Sequence, residues 1–122
     1  MQEFLVTNNP MVYEKFAGQV EIEFMEDKSF LDVLYFVRDK VHLGHKLLTH
    51  PLSGSVKPDE TPYKSVMITS AVGAFDMDSL RIIEGCIAVA KELYENRKRV
   101  ITPEKLLKDF QLVDLALISG KN

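Results

Sequence analysis

Short apolar runs alternate along this chain with stretches whose apolar residues recur every three or four positions, and this alternation is the strongest constraint on its fold. Runs of the first kind pack as strands buried on both faces, and stripes of the second kind pack as amphipathic helices. Strand and helix in alternation imply parallel pairing with crossover helices on both sides of a sheet. The expectation is an α/β fold: a small single-domain three-layer sandwich, with a mostly parallel sheet of three to four strands and helices on both faces. A length of 122 residues fits one domain, 1–122, and is long enough to bury a core without metals or disulfide staples.

In order, Phe4, Leu5 and Val6 form the first apolar run, closed by Asn8, Asn9 and Pro10. Those three residues can turn the chain and cap a helix from Pro10 to Phe16, with Gly18 ending it. Val20, Ile22 and Phe24 alternate with Glu21 and Glu23, the pattern of a strand with one wet face at a sheet edge. Ser29 is placed to cap a helix carrying Phe30, Val33, Leu34, Val37 and Val41 on one stripe, and Gly44 to end it. Lys46 to Thr49 suits a short strand, and Tyr63 to Ser70, with Val66, Met67 and Ile68, a further buried one.

From Asp76, a capping residue, a helix runs to about Asn96 with apolar residues on two adjoining stripes: Leu80, Ile83, Ile87 and Tyr94, and beside them Ile82, Cys86, Val89 and Leu93. So wide a stripe needs wide cover, either the sheet with the last helix or the sheet with a second copy of the chain in a homodimer. Thr102, Pro103 and Glu104 read as cap, first helical residue and acidic first turn of a last helix. The Leu-rich segment Leu106 to Ile118 must then pack on the body or on a partner.

A formal charge of −3 and a pI near 5.6 argue against nucleic acid as a partner, since phosphate neutralisation calls for a basic face. One cysteine, Cys86, cannot close an intramolecular disulfide, which suits a reducing cytoplasm. The opening MQEFLVTNNP has neither the basic region nor the apolar run of a signal peptide, and no stretch approaches the length of a membrane span. A soluble, cytoplasmic protein without membrane partners is expected.

The stretch Val37 to Ser65 holds all three histidines and the densest run of turn-forming and hydrogen-bonding residues. From His50 to Pro62 it is loop, with three prolines and only Leu52 and Val56 apolar. Long loops held by a rigid scaffold are where binding residues concentrate. His42, His45 and His50 raise the question of a metal, but a helix ending at Gly44 separates His42 from His45 and no cysteine is near. No metal is therefore assigned, and solvated or hydrogen-bonded structural histidines are the plainer alternative. Ser53, Gly54, Ser55 and Lys57 offer hydroxyls, flexible backbone amides and a cation, the ingredients of an anion cradle. His50 and Arg38 can add donors. The segment matches neither the P-loop nor the dinucleotide fingerprint, so the cofactor is unknown, and a structural loop packed by its own prolines is the competing reading.

In open α/β sheets ligands lie beyond the carboxyl ends of the strands. Asn8 and Asn9, directly after the first strand, should meet the loop after Thr49 at that edge. The candidate ligand-binding set is therefore Arg38, Asn8, Asn9, His42, His45, His50, Ser53, Gly54, Ser55 and Lys57. Cys86, mid-helix among apolar neighbours, reads as a buried inert thiol.

HLGHKLLTHPLSGSVKPDETPYKS, together with the opening TNNP and the late DFQLVDLAL, resembles the GrdX-like family over most of the chain. That family consists of small proteins associated with the glycine, sarcosine and betaine reductase systems of anaerobic amino-acid-fermenting bacteria. The resemblance implies a pathway setting and a reductase component as partner, and it carries over no catalytic residue. Three functions follow as expectations: an accessory protein binding a small anionic or polar molecule at the His42–Lys64 loop, a module docking on a reductase component, or an enzyme using a loop histidine as acid or base.

Overall fold

The structure, a computed structural model, describes residues 2–52, 61–96 and 104–120. Strand β1 (Glu3–Thr7) is followed by helix α1 (Pro10–Phe16), strand β2 (Glu21–Phe24), helix α2 (Phe30–Leu43), strand β3 (Ser65–Thr69), helix α3 (Met77–Asn96) and helix α4 (Glu104–Ser119). The local signals set these boundaries. Asn9 caps α1, its side chain accepting from the Met11 N–H, and Pro10 occupies the first turn, where its missing N–H costs nothing. Ser29 and Asp32 form a reciprocal capping box at the start of α2. Asp76 accepts from the Ser79 N–H at 3.0 Å at the start of α3, and the Ser79 hydroxyl also donates to it, holding the Asp76 carboxyl below its ordinary range. The caps expected at Thr102 and Pro103 lie outside the described residues.

The sheet runs β2-β1-β3. β1 and β2 are parallel, from Phe4 opposite Glu21 to Thr7 opposite Phe24. β1 and β3 are antiparallel, from Glu3 opposite Thr69 to Thr7 opposite Ser65. Among the described residues the sheet thus has three strands, within the number expected, but it is mixed, a correction to the mostly parallel sheet expected. The cause lies in the segment after α2. Residues 46–49 run back along the free side of β3, with the Leu48 and Thr49 N–H groups donating to Met67 O and Thr69 N–H to Lys46 O. This return makes one bridge, Leu47 to Ile68, instead of a fourth strand. It nevertheless carries the chain back to the carboxyl end of β1, so β3 has to start there and run the opposite way.

Both faces of the sheet are covered. Phe4, Val6, Val66 and Ile68 pack with α2 and, beyond it, with Ile83, Cys86, Ile87 and Ala90 of α3. Leu5 and Met67, one position out of phase, pack with Val12 of α1 and Ile118 of α4 on the other face. α3 therefore finds its cover on α2. Its second stripe is only partly covered: Cys86 is buried, while Ile82 and Val89 are 37% and 45% exposed. Among the described residues no helix is long and apolar enough to cross a membrane.

Candidate functional site

Thr7 and Ser65 face each other at the last register position of the β1–β3 pair, so the carboxyl end of β1 and the start of β3 share one edge. Asp114 of α4 reaches the same point, only 4% exposed. Its Oδ2 accepts from the Ser65 hydroxyl at 2.7 Å and from Asn9 Nδ2 at 3.0 Å. With the Ser65 hydrogen given to the carboxylate, the 2.6 Å contact between Thr7 Oγ1 and Ser65 Oγ has Thr7 donating. Thr7 Oγ1 in turn accepts from the Asn9 N–H at 3.0 Å. A continuous chain of donors thus runs from Asn9 through Thr7 and Ser65 into the Asp114 carboxylate.

Lys64 stands next to this chain. Its residue is 8% exposed, and its Nζ lies over the Phe30 ring, 5.6 Å from the centroid. Among the described residues that ammonium makes neither a hydrogen bond nor an ion pair. Burial pushes the lysine below its ordinary value of 10.5, while the charges of Asp114 and Cys86 pull the other way. Burial raises the Cys86 thiol, opposed by a backbone hydrogen bond with Leu52 and by Lys64.

Two small cavities flank Lys64. One, about 10 Å³, is lined by Phe30, Thr61, Tyr63, Lys64 and Asp114 with the apolar side of α4. The other, about 20 Å³, is lined by Thr49, His50, Lys64, Ser65 and Asp114 with Leu117 and Ile118. Each has room for about one water. Tyr63, whose hydroxyl accepts from Gln111 Nε2 at 2.8 Å, also walls a groove of about 290 Å³ with Asn8, Pro10, Asp27, Lys28 and Leu107. Asp27 has φ +64°, an uncommon conformation for a non-glycine residue.

The residues singled out in the sequence divide between two ends of the sheet. Asn8, Asn9 and His50 are at the carboxyl edge of β1. Asn8 holds the edge together: its Nδ2 donates to Lys28 O at 2.9 Å and Pro62 O at 2.8 Å, and its Oδ1 accepts from the Lys64 N–H at 2.9 Å. Asn9 Nδ2 additionally donates to Gln111 O, tying α4 to the end of β1. His50 is exposed at the cavity rim, its Nδ1 accepting from the Leu52 N–H at 3.1 Å.

His45 belongs to the opposite edge, where it is buried, with Nδ1 2.6 Å from Thr69 O and its ring edge-on to Phe4. His42 is exposed there, 6.3 Å from the Phe75 ring. Arg38 stands partway along α2, roughly 12 Å from Phe30 by helix rise. Its guanidinium lies over Tyr35, 5.0 Å from the ring centroid, and 3.7 Å from Asp39. Ser53, Gly54, Ser55 and Lys57 lie outside the described residues. Among the described residues no three His, Cys, Asp or Glu side chains gather closely enough to hold a metal ion.

Lys64, Ser65, Thr7 and Asp114 were not among the candidates. The available signal was Asp114 itself, a carboxylate four residues before Ile118 on the buried face of a Leu-rich helix, where an acidic residue is costly unless it is hydrogen-bonded.

Fold and edge together define a small mixed α/β protein whose last helix is latched to the sheet by a buried carboxylate. Residues 4–121 match the family described as GrdX-like protein, and the chain belongs to that family. No curated protein and no solved structure matches it.

Proposed function

We propose that the chain is an accessory protein of glycine-reductase-type metabolism that binds a small anionic or polar ligand at the carboxyl edge of β1, with Lys64 as its anchor. One observation carries this reading: Lys64 is buried and its ammonium has no hydrogen-bonding partner among the described residues. A buried charge without a hydrogen-bonding partner is costly, and groups perturbed in this way cluster at functional sites. The loop whose centre, Ser53 to Lys57, suggested an anion cradle in the sequence springs from this edge at His50 and returns at Thr61 to Lys64. The groove behind Tyr63 offers space for the body of a ligand.

Thermal unfolding in sulfate, phosphate and small carboxylates tests the proposal. A ligand at a hundred times its Kd stabilises the native state by about 2.7 kcal/mol. We expect at least one of these anions to raise the Tm of the wild type and of exposed Lys108→Ala, with the increment lost in Lys64→Met. Equal increments in all three proteins, or none in any, would remove the reading.

The same variant makes a ligand-free prediction. The folded state holds the Lys64 proton more weakly than the unfolded chain does, so its penalty is fully present below the folded-state pKa. It disappears as pH rises towards 10.5, and stability rises with pH across that window. Lys64→Met should therefore be the more stable protein at neutral pH. The advantage should shrink on approach to pH 10.5 in urea titrations at a series of pH values. A pH-independent difference would mean that the lysine charge is not its cause.

A second reading, docking on a reductase component, draws on α4. Leu106, Phe110, Val113 and Leu117 recur at spacings of four, three and four on one side of this helix, and Leu106, Val113 and Leu117 are each more than a third exposed. Co-purification with a reductase component that is lost in Leu106→Asp, with ligand protection intact, would favour it.

A further inference from the structure

Resting on the ligand-site reading above, we propose that Lys64 is a carbonyl-reactive amine that forms a Schiff base with a small aldehyde at the carboxyl edge of β1. The geometry supplies the parts. The amine is enclosed, lies over Phe30, and makes no hydrogen bond or ion pair among the described residues that would have to break before it attacks. Asp114 and the Ser65 hydroxyl share a cavity with it, and the carboxylate has only its Oδ2 hydrogen-bonded among the described residues. Desolvation of the lysine increases its neutral, nucleophilic fraction, the usual route by which buried lysines are activated.

The step balances without an oxidant or reductant. The neutral amine attacks the carbonyl carbon, the C–N bond forms, and the carbonyl π pair moves to oxygen. A proton shed by nitrogen passes to that oxygen, with the Asp114 carboxylate as carrier. The remaining nitrogen proton follows by the same carrier to that oxygen, which leaves as water: the C–O bond breaks and the nitrogen lone pair closes C=N. Amine and aldehyde have become imine and water. The cavity of about 20 Å³ between His50 and Asp114 is the size of the water released. The two cavities beside Lys64, each the size of about one water, restrict access to the smallest carbonyl compounds.

The test is reductive trapping of the full chain with acetaldehyde and cyanoborohydride at pH 7, followed by peptide mapping. Hydride delivered to the imine carbon leaves an ethyl group on the reacting lysine. The expected result is ethylation of Lys64 at least about tenfold faster than of exposed Lys15 and Lys108. Lys64→Met should lose the fast phase and keep the slow surface labelling. Asp114→Asn should slow the Lys64 phase while leaving the surface lysines unchanged. Ethylation of Lys64 no faster than that of Lys108 overturns the proposal. If sulfate protection through Lys64 persists in that case, the anion site stands and only the carbonyl chemistry falls. If protection by sulfate, phosphate and small carboxylates is absent as well, both fall.

Discussion

Asp114→Ala is expected to lower the unfolding free energy by about 3 to 5 kcal/mol, the largest loss of any single side chain at this edge. Truncation removes the acceptor for the Ser65 hydroxyl and for Asn9 Nδ2, both of which then lie in a water-poor interior. Each buried donor left without a partner costs about 1 to 3 kcal/mol. It also strips Lys64 of a nearby opposite charge, which burial makes expensive. Asp114→Asn keeps the shape and one acceptor oxygen, so its cost should be smaller. The decisive comparison is the double variant Asp114→Ala with Lys64→Met. If the lysine's stranded charge is part of the loss, the second substitution restores some of it, and a double-mutant cycle gives a coupling of about 0.5 to 3 kcal/mol. Urea midpoints at constant m-value measure all four proteins. A single-variant loss below about 0.5 kcal/mol would place Asp114 among ordinary surface substitutions and dissolve the latch between α4 and the sheet.

Much of the fold was legible because its signals are local. Asn9 with Pro10, Ser29 three residues before Asp32, and Gly44 after an apolar stripe each specify a helix end by their own backbone chemistry; α1 begins at the first pair, and α2 begins and ends at the others. The direction of β3 was not legible, because it depends on where the chain is after residue 49. That in turn depends on a return path held by bonds between Lys46, Leu48 or Thr49 and residues of β3 some twenty positions later. The same holds for the edge cluster. Thr7, Lys64, Ser65 and Asp114 are far apart in the chain and only the closed fold joins them. The histidines attracted attention by being close in sequence, but the helix end at Gly44 and the return segment place His45 and His50 at opposite edges. The convergence of Asn8 and His50 on one edge followed from their positions after extended segments, which is a topological signal and a stronger one than residue type.

Gly44→Ala should cost about 3 kcal/mol, although it adds a single methyl group. Gly44 has φ +112° and ψ 8°, and its N–H bonds back to Lys40 O and Val41 O at the end of α2. That φ lies well beyond the left-handed helical region which other residues tolerate, and such strain costs about 1 to 3 kcal/mol. Space is also lacking: a Cβ would meet Gly73 O at 2.5 Å and Val72 Cγ1 at 2.9 Å, while the Gly73 N–H donates to Gly44 O at 3.0 Å. The neighbour is hydrogen-bonded backbone, so relief requires moving the 70s loop or the helix end, and overpacking of that kind adds a similar penalty. Gly85→Ala is the matched control. Gly85 is exposed within α3 and nothing lies within 4 Å of a Cβ there, so the same methyl should stabilise by about 0.5 to 1 kcal/mol. Opposite shifts of the urea midpoint are therefore expected from one chemical change. The consequence reaches the candidate site, because residues 45–49 leave Gly44 and deliver His50 to the edge beside Lys64. In Gly44→Ala the anion-dependent rise in Tm should fall along with stability, whereas Gly85→Ala should leave it intact. Retention of the full rise in Gly44→Ala would show that the return path tolerates a displaced start and that the edge assembles independently of it.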